Sequence, residues 1–315
     1  MARVRVFEAA PEGFRLIRRE PLAVLVWSVV LMVIVALPTL LIMRGLAPMY
    51  GSLADQALGA TPNPEEILAL QGRMFAIMPI TWICSLVGYT LAVGAALRAV
   101  LTPEDRKWFY LRFSAAEFWL ALSALVLIVL SYIAMVVVMI VSLLILFVPL
   151  VIAGMASGGG EPGPAFVLLP LVGFVAVMLA MTWFGVRMSM GPLMSFDRRQ
   201  FRLFESWSLT RGEGWRLFGL ALLAWLLVIV VDVVIFAVIF SLGGIHLPNF
   251  TDQADVAAFS AEMMGLYAGP AMYVMMAIGF VTSGVFTALL VAPFARAYIM
   301  LRDGAVATEA AEIAA

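Results

Sequence analysis

The length of its uncharged stretches constrains this chain more than any other feature. Pro21–Met43, Met74–Leu97, Phe118–Gly160, Pro162–Val186 and Met263–Ala295 contain no Asp, Glu, Lys or Arg, and Leu217–Gly243 is interrupted by a single acid, Asp232. A helix needs about 20 apolar residues to cross the roughly 30 Å hydrocarbon core of a bilayer. Stretches this long and this uniform do not have the alternation of barrel strands. The fold class that follows is all-α. The sequence predicts a polytopic integral membrane protein with six transmembrane helices near 21–43, 74–98, 117–148, 165–191, 215–242 and 269–300. Residues 1–20 form an amphipathic cytoplasmic N-terminus and 301–315 a cytoplasmic tail, so that 21–300 is one transmembrane domain. Charged residues make up 12% of the chain and hydrophobic ones 64%, against about 25% charged in soluble domains. That balance excludes a water-soluble globule and a disordered chain.

The third stretch is long enough for two spans, since Phe118 to Met155 is apolar throughout. Nothing between Val126 and Phe147 is Gly, Pro, Asn or Asp, so a turn there has no chemistry to build on. Two spans would also carry Arg198, Arg199, Arg202, Arg211 and Arg216 to the outer face. One long helix, tilted or bent at Pro149, keeps them inside; the path of 140–160 stays open.

With six spans and both termini cytoplasmic, 17 of the 19 basic residues fall on the inner side and only Arg44 and Arg73 face out, the asymmetry expected of a bacterial inner-membrane protein. The first apolar run, 23 residues long, exceeds a signal-peptide core and reads as an uncleaved anchor.

Other counts restrict chemistry. The net charge is −1, and there is one cysteine, Cys84, and one histidine, His246. No intrachain disulfide, thiolate cluster or multi-histidine metal site is available, and no basic field recruits nucleic acid. The sequence implies no cofactor and no metal. There is no phosphate-binding G-x-x-x-x-G-K-[ST] loop, no G-x-S-x-G and no H-E-x-x-H, so neither a nucleotide-driven pump nor a familiar hydrolase is encoded.

The outer loops, 44–73 and 244–268, are modest. Asn63-Pro64-Glu65-Glu66 has the cap, first-turn proline and first-turn acids of a short helix. The second loop carries Asp252, Asp255 and Glu262 with no Lys or Arg; it either attracts cations or is simply solvated.

The inner segments say more. A basic, aromatic-studded stretch precedes each odd-numbered span: Val4–Arg19 with Phe7 and Phe14, Arg106–Glu117 with Trp108, Phe109, Tyr110 and Phe113, and Arg198–Trp215 with Phe201, Phe204 and Trp207. These are expected to be amphipathic helices in the headgroup layer. They either select lipid through aromatics and arginines or only anchor the spans. Glu20, Glu117 and Glu213 stand at the three membrane entries, 97 and 96 residues apart. The spacing predicts three parallel helical-hairpin repeats with a central seam, where repeat-built transporters often place sites.

Asp232 lies near the middle of the fifth span, where an ionised acid costs roughly 2.5–3.5 kcal/mol. It is expected to find a partner among Ser131 or Tyr132, Thr182, and Thr282 or Ser283. It serves either as a proton or cation relay or as a protonated lock on helix packing. Arg98, Arg187 and Arg296 end the second, fourth and sixth spans. They either snorkel to phosphates or form a ring that grips them bidentately. Gly88 with Gly94, and Gly279 with Gly284, are expected to serve close helix packing.

At the second inner loop, Phe204-Glu205-Ser206-Trp207-Ser208-Leu209-Thr210-Arg211-Gly212-Glu213-Gly214-Trp215-Arg216-Leu217-Phe218-Gly219-Leu220 resembles the Ser-Trp-x-Leu-Thr-x-Gly-x-x-Trp-x-x-x-Gly signature. That signature belongs to the glycerophosphoryl diester phosphodiesterase membrane-domain family, including YciC-like stand-alone membrane proteins. The final tryptophan and glycine fall here at Trp215 and Gly219. The resemblance implies a six-helix inner-membrane protein. It does not imply phosphodiesterase activity, which in the family belongs to a separate barrel domain. Physically, Ser206 and Thr210 can cap or back-bond a short helix, and Gly212 and Gly214 let the chain turn into the fifth span.

The expected function is non-enzymatic: binding or organising membrane phospholipid, or assembling envelope partners or a homo-oligomer. The candidate lipid- or phosphate-binding residues are Arg187, Arg198, Arg199, Arg202, Trp207, Arg211, Trp215, Arg216 and Arg296. The alternative is a secondary transporter using Asp232 near the bilayer midplane, with Tyr132, Thr182 and Ser283 as polar neighbours. An intramembrane enzyme acting on lipid is a third reading.

Overall fold

The computed structural model describes residues 4–42, 64–144, 165–243 and 271–313, together with 249, 251–252, 255–256 and 259. Expectations for Pro149, His246 and most of the two outer loops fall outside these residues. The described chain is helical with no strand, and six of its helices are long and apolar enough to cross a membrane. In chain order they are α1 (Val6–Ala9), α2 (Glu12–Arg19), α3 (Pro21–Leu31), α4 (Pro64–Leu101), α5 (Ala115–Ser142), α6 (Ala165–Met188), α7 (Gly191–Arg198), α8 (Ser206–Leu209), α9 (Gly214–Gly243) and α10 (Ala271–Ile313). Beyond α3 the helix passes through a π-helical turn, Met32–Ala36, and continues to Ile42.

Several boundaries differ from the sequence reading. The short helix expected at Asn63–Pro64 is the first turns of α4, which runs unbroken to Leu101. The residues between, Ile67-Leu68-Ala69-Leu70-Gln71, are good helix formers, and one exposed glycine such as Gly72 costs only about 1 kcal/mol. Likewise α10 continues to Ile313, so the described part of the expected tail is a helical extension, alanine-rich and free of proline. The fourth span ends at Met188, and a turn at Ser189-Met190 leads into the separate helix α7. Only the first of the three lead-in stretches is built from two right-handed helices, α1 and α2. The stretch over 106–114 is a left-handed turn followed by extended chain, and that over 199–213 is mostly turns around the four-residue α8.

Two compact units divide the chain. One comprises 10–112 and 223–293. Its core joins Trp27, Val24 and Leu31 of the first span to Ala92, Ala95, Ala96 and Ala99 of α4 and to Ala288 and Ala292 of α10. The alanines recur at i, i+3, i+4, i+7, one helix face; their small size lets helices approach closely. Gly284 carries the approach furthest. The Ser28 hydroxyl donates to the carbonyls of Val24 (3.1 Å) and Val281 (3.0 Å) and accepts the Gly284 N–H at 3.1 Å. Gly88 faces Val35 of the π-helical turn, where a Cβ would lie 2.5 Å from Val35 Cγ2. Gly279, expected to act in the same way, meets nothing within 4 Å.

The other unit comprises 1–9, 113–222 and 294–315, of which 4–9, 113–144, 165–222 and 294–313 are described. Here α5 packs on α6 and α7, and α8 packs on α6. A capping box opens α5: Ala116 N–H donates to Ser114 Oγ, and Ser114 N–H donates to Glu117 at 2.9 Å. Buried Leu120, Met190, Leu193, Phe196, Leu203, Leu217 and Leu220 fill its interior. Gly191 is required there, because a Cβ would lie 2.8 Å from the Leu203 carbonyl oxygen.

Candidate functional site

The lipid- or phosphate-binding candidates all belong to the second of these units, and all but Arg296 of α10 lie along the elbow between the end of α6 and the start of α9. The elbow is hung on the end of α6. Arg187, 8% exposed, donates from Nη1 to the Thr210 carbonyl at 2.6 Å, and its guanidinium lies 4.6 Å from the Trp207 ring centroid. The Arg187 carbonyl in turn accepts Ser206 Oγ at 2.7 Å and Thr210 Oγ1 at 3.3 Å. Thr210 Oγ1 also back-bonds to the Ser206 carbonyl at 2.8 Å, as the sequence reading expected of a Ser/Thr pair. One arginine thus joins both ends of α8 to α6.

The glycines then set the exit. Gly212 has φ +84°, a left-handed conformation that glycine adopts without a steric penalty. At Gly214 a Cβ would stand 2.8 Å from the Trp183 ring, so the start of α9 passes directly against that indole. Trp183, Trp215 and Phe218 make a chain of ring contacts with centroids 5.8 and 6.0 Å apart.

This arrangement separates the candidates into two groups. Arg187, expected either to snorkel or to grip phosphate, has its side chain buried and committed to Thr210 and Trp207. Arg202 and Arg216 are also engaged, each in an i,i+3 pair. Arg202 bonds Glu205 at 2.9 Å, and Arg216 bonds both oxygens of Glu213 at 3.1 Å. The Glu213 carboxylate also accepts the Val4 N–H at 3.1 Å. In contrast, Arg198, Arg199, Arg211 and Arg296 are exposed and have no acid partner among the described residues. Trp207, Trp215 and Phe204 are exposed with them. Arg199 is held in the left-handed region, φ 53°, as the C-cap of α7, where Gln200 N–H returns to the Ser195 carbonyl at 3.3 Å.

Sequence reading did not find a second tie in this unit. The Tyr298 phenol donates to Asp197 at 2.8 Å, and Arg302 approaches the same carboxylate oxygen at 3.4 Å. A comparable cluster stands in the other unit, where Tyr110 donates to Glu20 at 3.3 Å and Arg106 pairs with Glu20 at 2.7 Å. Arg98, the counterpart of Arg187 at the end of α4, is 7% exposed and donates to the Tyr110 carbonyl at 2.9 Å. It is no more available to phosphate than Arg187. The arginines at the ends of these apolar helices were the signal in the sequence; their partners come from connections whose path the sequence does not show.

Of the hydroxyls expected as partners of Asp232, those of Thr182, Thr282 and Ser283 bond carbonyls of their own helices. Thr182 donates to the Met178 carbonyl at 2.7 Å, Ser283 to Phe280 at 2.7 Å, and Thr282 to Ile278 and Gly279 at 3.0 Å. Tyr132 is exposed on α5. Hydroxyls in an apolar helix satisfy themselves on their own preceding turn. Asp232 is half-buried on α9 and has no hydrogen-bond or ion-pair partner among the described residues. A shallow groove further along α9, beside Val234, Ala237, Val238 and Ser241, does not include it. Among the described residues no cluster of His, Cys, Asp and Glu could hold a metal ion.

No protein-family model, curated protein or solved structure matches the chain.

Proposed function

We propose that this chain is a multi-pass inner-membrane protein, with both termini cytoplasmic, that binds or organises anionic phospholipid through the elbow between α6 and α9. The observation carrying this reading is the division of labour among the arginines. Arg187 holds the backbone from within, and Arg198, Arg199, Arg211 and Arg296 of the same unit are exposed with no acid partner among the described residues; the indoles of Trp207 and Trp215 are exposed as well. Cations and indoles together suit the headgroup layer of an anionic leaflet. The long helices support the same reading. On α5, Leu125, Ile128, Val129, Ile133, Val137 and Ile140 are all exposed, an apolar face that bilayer would cover. The resemblance of 204–220 to the phosphodiesterase membrane domain agrees. A repeat organisation belongs to the proposal as well: Arg98 and Arg187 close α4 and α6 in the same manner, each on a carbonyl of the connection that follows.

Native mass spectrometry of the full chain tests the lipid reading. Each basic residue near an anionic surface contributes about 1 kcal/mol. Replacing Arg198, Arg199 and Arg211 together by Gln is therefore expected to weaken retention of phosphatidylglycerol roughly 100-fold. Unchanged retention overturns it.

One observation favours a second reading, transport coupled to protons or cations: Asp232, in an apolar span, has no hydrogen-bond or ion-pair partner among the described residues. In proteoliposomes, a pH-dependent flux lost in both Asp232→Asn and Asp232→Leu is the expected result. Flux without such dependence, or none in the wild-type chain, removes transport through Asp232.

A further inference from the structure

The connection between α4 and α5 contains three consecutive non-glycine residues in the left-handed region: Trp108 (φ 53°), Phe109 (φ 57°) and Tyr110 (φ 66°). L-residues visit this region singly, at a steric cost each time. A run of three aromatics persists only when the surroundings over-determine it, and here they do. Trp27, fully buried in the first span, donates its indole N–H to the Phe109 carbonyl at 2.9 Å. Arg98, buried at the end of α4, takes the Tyr110 carbonyl. The Leu111 N–H closes on the Trp108 carbonyl at 3.1 Å. All three carbonyls of the turn are therefore held. The Tyr110 ring, 1% exposed, points inward, and its phenol meets Glu20 and the Pro103 carbonyl, both at 3.3 Å. Glu20 is itself fixed by Arg106.

What the strained turn achieves is the direction of the other two rings. Trp108 is 83% and Phe109 42% exposed. Lys107, the one lysine of the chain, is exposed beside them with no acid partner among the described residues. A mere connector would take Gly or Asn at these angles and would not engage two buried donors. We propose that Lys107-Trp108-Phe109 is a preformed wedge that enters the headgroup layer of an anionic phospholipid leaflet, rings inward and ammonium on phosphate. Lipid suits this surface because an indole and a phenyl ring beside one cation match the apolar-to-polar gradient of that layer. The wedge also stands where a long apolar helix, α4, ends. The inference rests on the proposed reading of the chain as membrane-spanning, but uses none of the arginines of the elbow between α6 and α9.

The test uses the full chain in a Cys84→Ser background. A nitroxide is attached at Trp108→Cys or, as a reference, at Glu104→Cys, and the protein is reconstituted into phosphatidylcholine–phosphatidylglycerol vesicles. The label at 108 is expected to be relaxed more by oxygen than by a water-soluble nickel chelate, and the label at 104 the reverse. Equal access of the chelate to both positions overturns the wedge. So does a label at 108 that becomes protected only as protein concentration rises in detergent, because the occupant is then a second copy. Trp108→Gly separates strain from packing: it should raise the melting temperature in detergent, since the steric penalty is gone, and a fall would mean the ring serves the fold. If the arginine replacements leave lipid retention unchanged but the 108 label is still lipid-exposed, the wedge stands and the elbow reading fails.

Discussion

Replacing Arg187 by alanine should destabilise the chain by about 3 kcal/mol, more than any other single arginine replacement in its unit. The Thr210 carbonyl would be left buried without its donor, at about 1–3 kcal/mol. The contact with the Trp207 ring would be lost, worth about 1–2 kcal/mol when desolvated, and so would the packing of the aliphatic stem. Against these stands relief from burying a guanidinium whose Nε has no hydrogen-bond partner among the described residues. That relief is only partial, because the charge already faces a carbonyl and a ring. Equilibrium unfolding in mixed micelles, followed by tryptophan fluorescence, reads the loss, and Trp207 should shift its emission as the elbow loosens. Arg199→Ala is the control. It removes an exposed side chain with no acid partner and should change stability by under about 0.5 kcal/mol. Equal effects of the two would mean that Arg187 does not hold the elbow.

The contrast between Arg187 and Arg199 also shows how far the sequence could be read. The six long apolar helices were legible, since their length and lack of charge leave one kind of element open to them. The start of the helix over 214–243 was located within one residue, because Gly212 and Gly214 mark it. Which arginines turn inward was not legible. Arg187 and Arg198 look alike in the sequence, each near the end of an apolar run, and only the course of 199–213 brings the Thr210 carbonyl to one of them. The lead-in at 106–114 was misread as helical for a related reason. Its aromatics have helical spacing, but Trp27 and Arg98 hold two of its carbonyls in a left-handed turn, and these residues lie outside any local window. Asp232 stands out in the sequence as the one acid in its apolar run, and the hydroxyls of Thr182, Thr282 and Ser283 bond carbonyls of their own helices. A threonine or serine inside an apolar helix has a carbonyl one turn back within its reach.

The two glycines of α10 make the sharpest test of the packing, because the sequence gives them the same role and the structure does not. Gly284→Ala should cost about 3–4 kcal/mol. Its Cβ would fall on the Ser28 hydroxyl and the Val24 carbonyl, closer than any real Cβ contact, with Ser28 N at 3.1 Å. Overpacking of this kind costs typically 1–3 kcal/mol. Displacing Ser28 would add the loss of hydrogen bonds that join the first span to α10, each worth about 1 kcal/mol. Pairing the change with Ser28→Ala should recover only part of the loss, because the Val24 carbonyl belongs to a helix backbone and cannot rotate away. Gly279→Ala, with nothing within 4 Å of its Cβ, should be neutral or stabilising by up to about 1 kcal/mol, the ordinary gain of alanine over glycine in a helix. Melting temperatures of the purified variants in one detergent decide between the two. A Gly284→Ala variant as stable as Gly279→Ala would mean that the first span and α10 do not meet at Ser28, and the core built from Trp27 and the alanine faces would have to be redrawn.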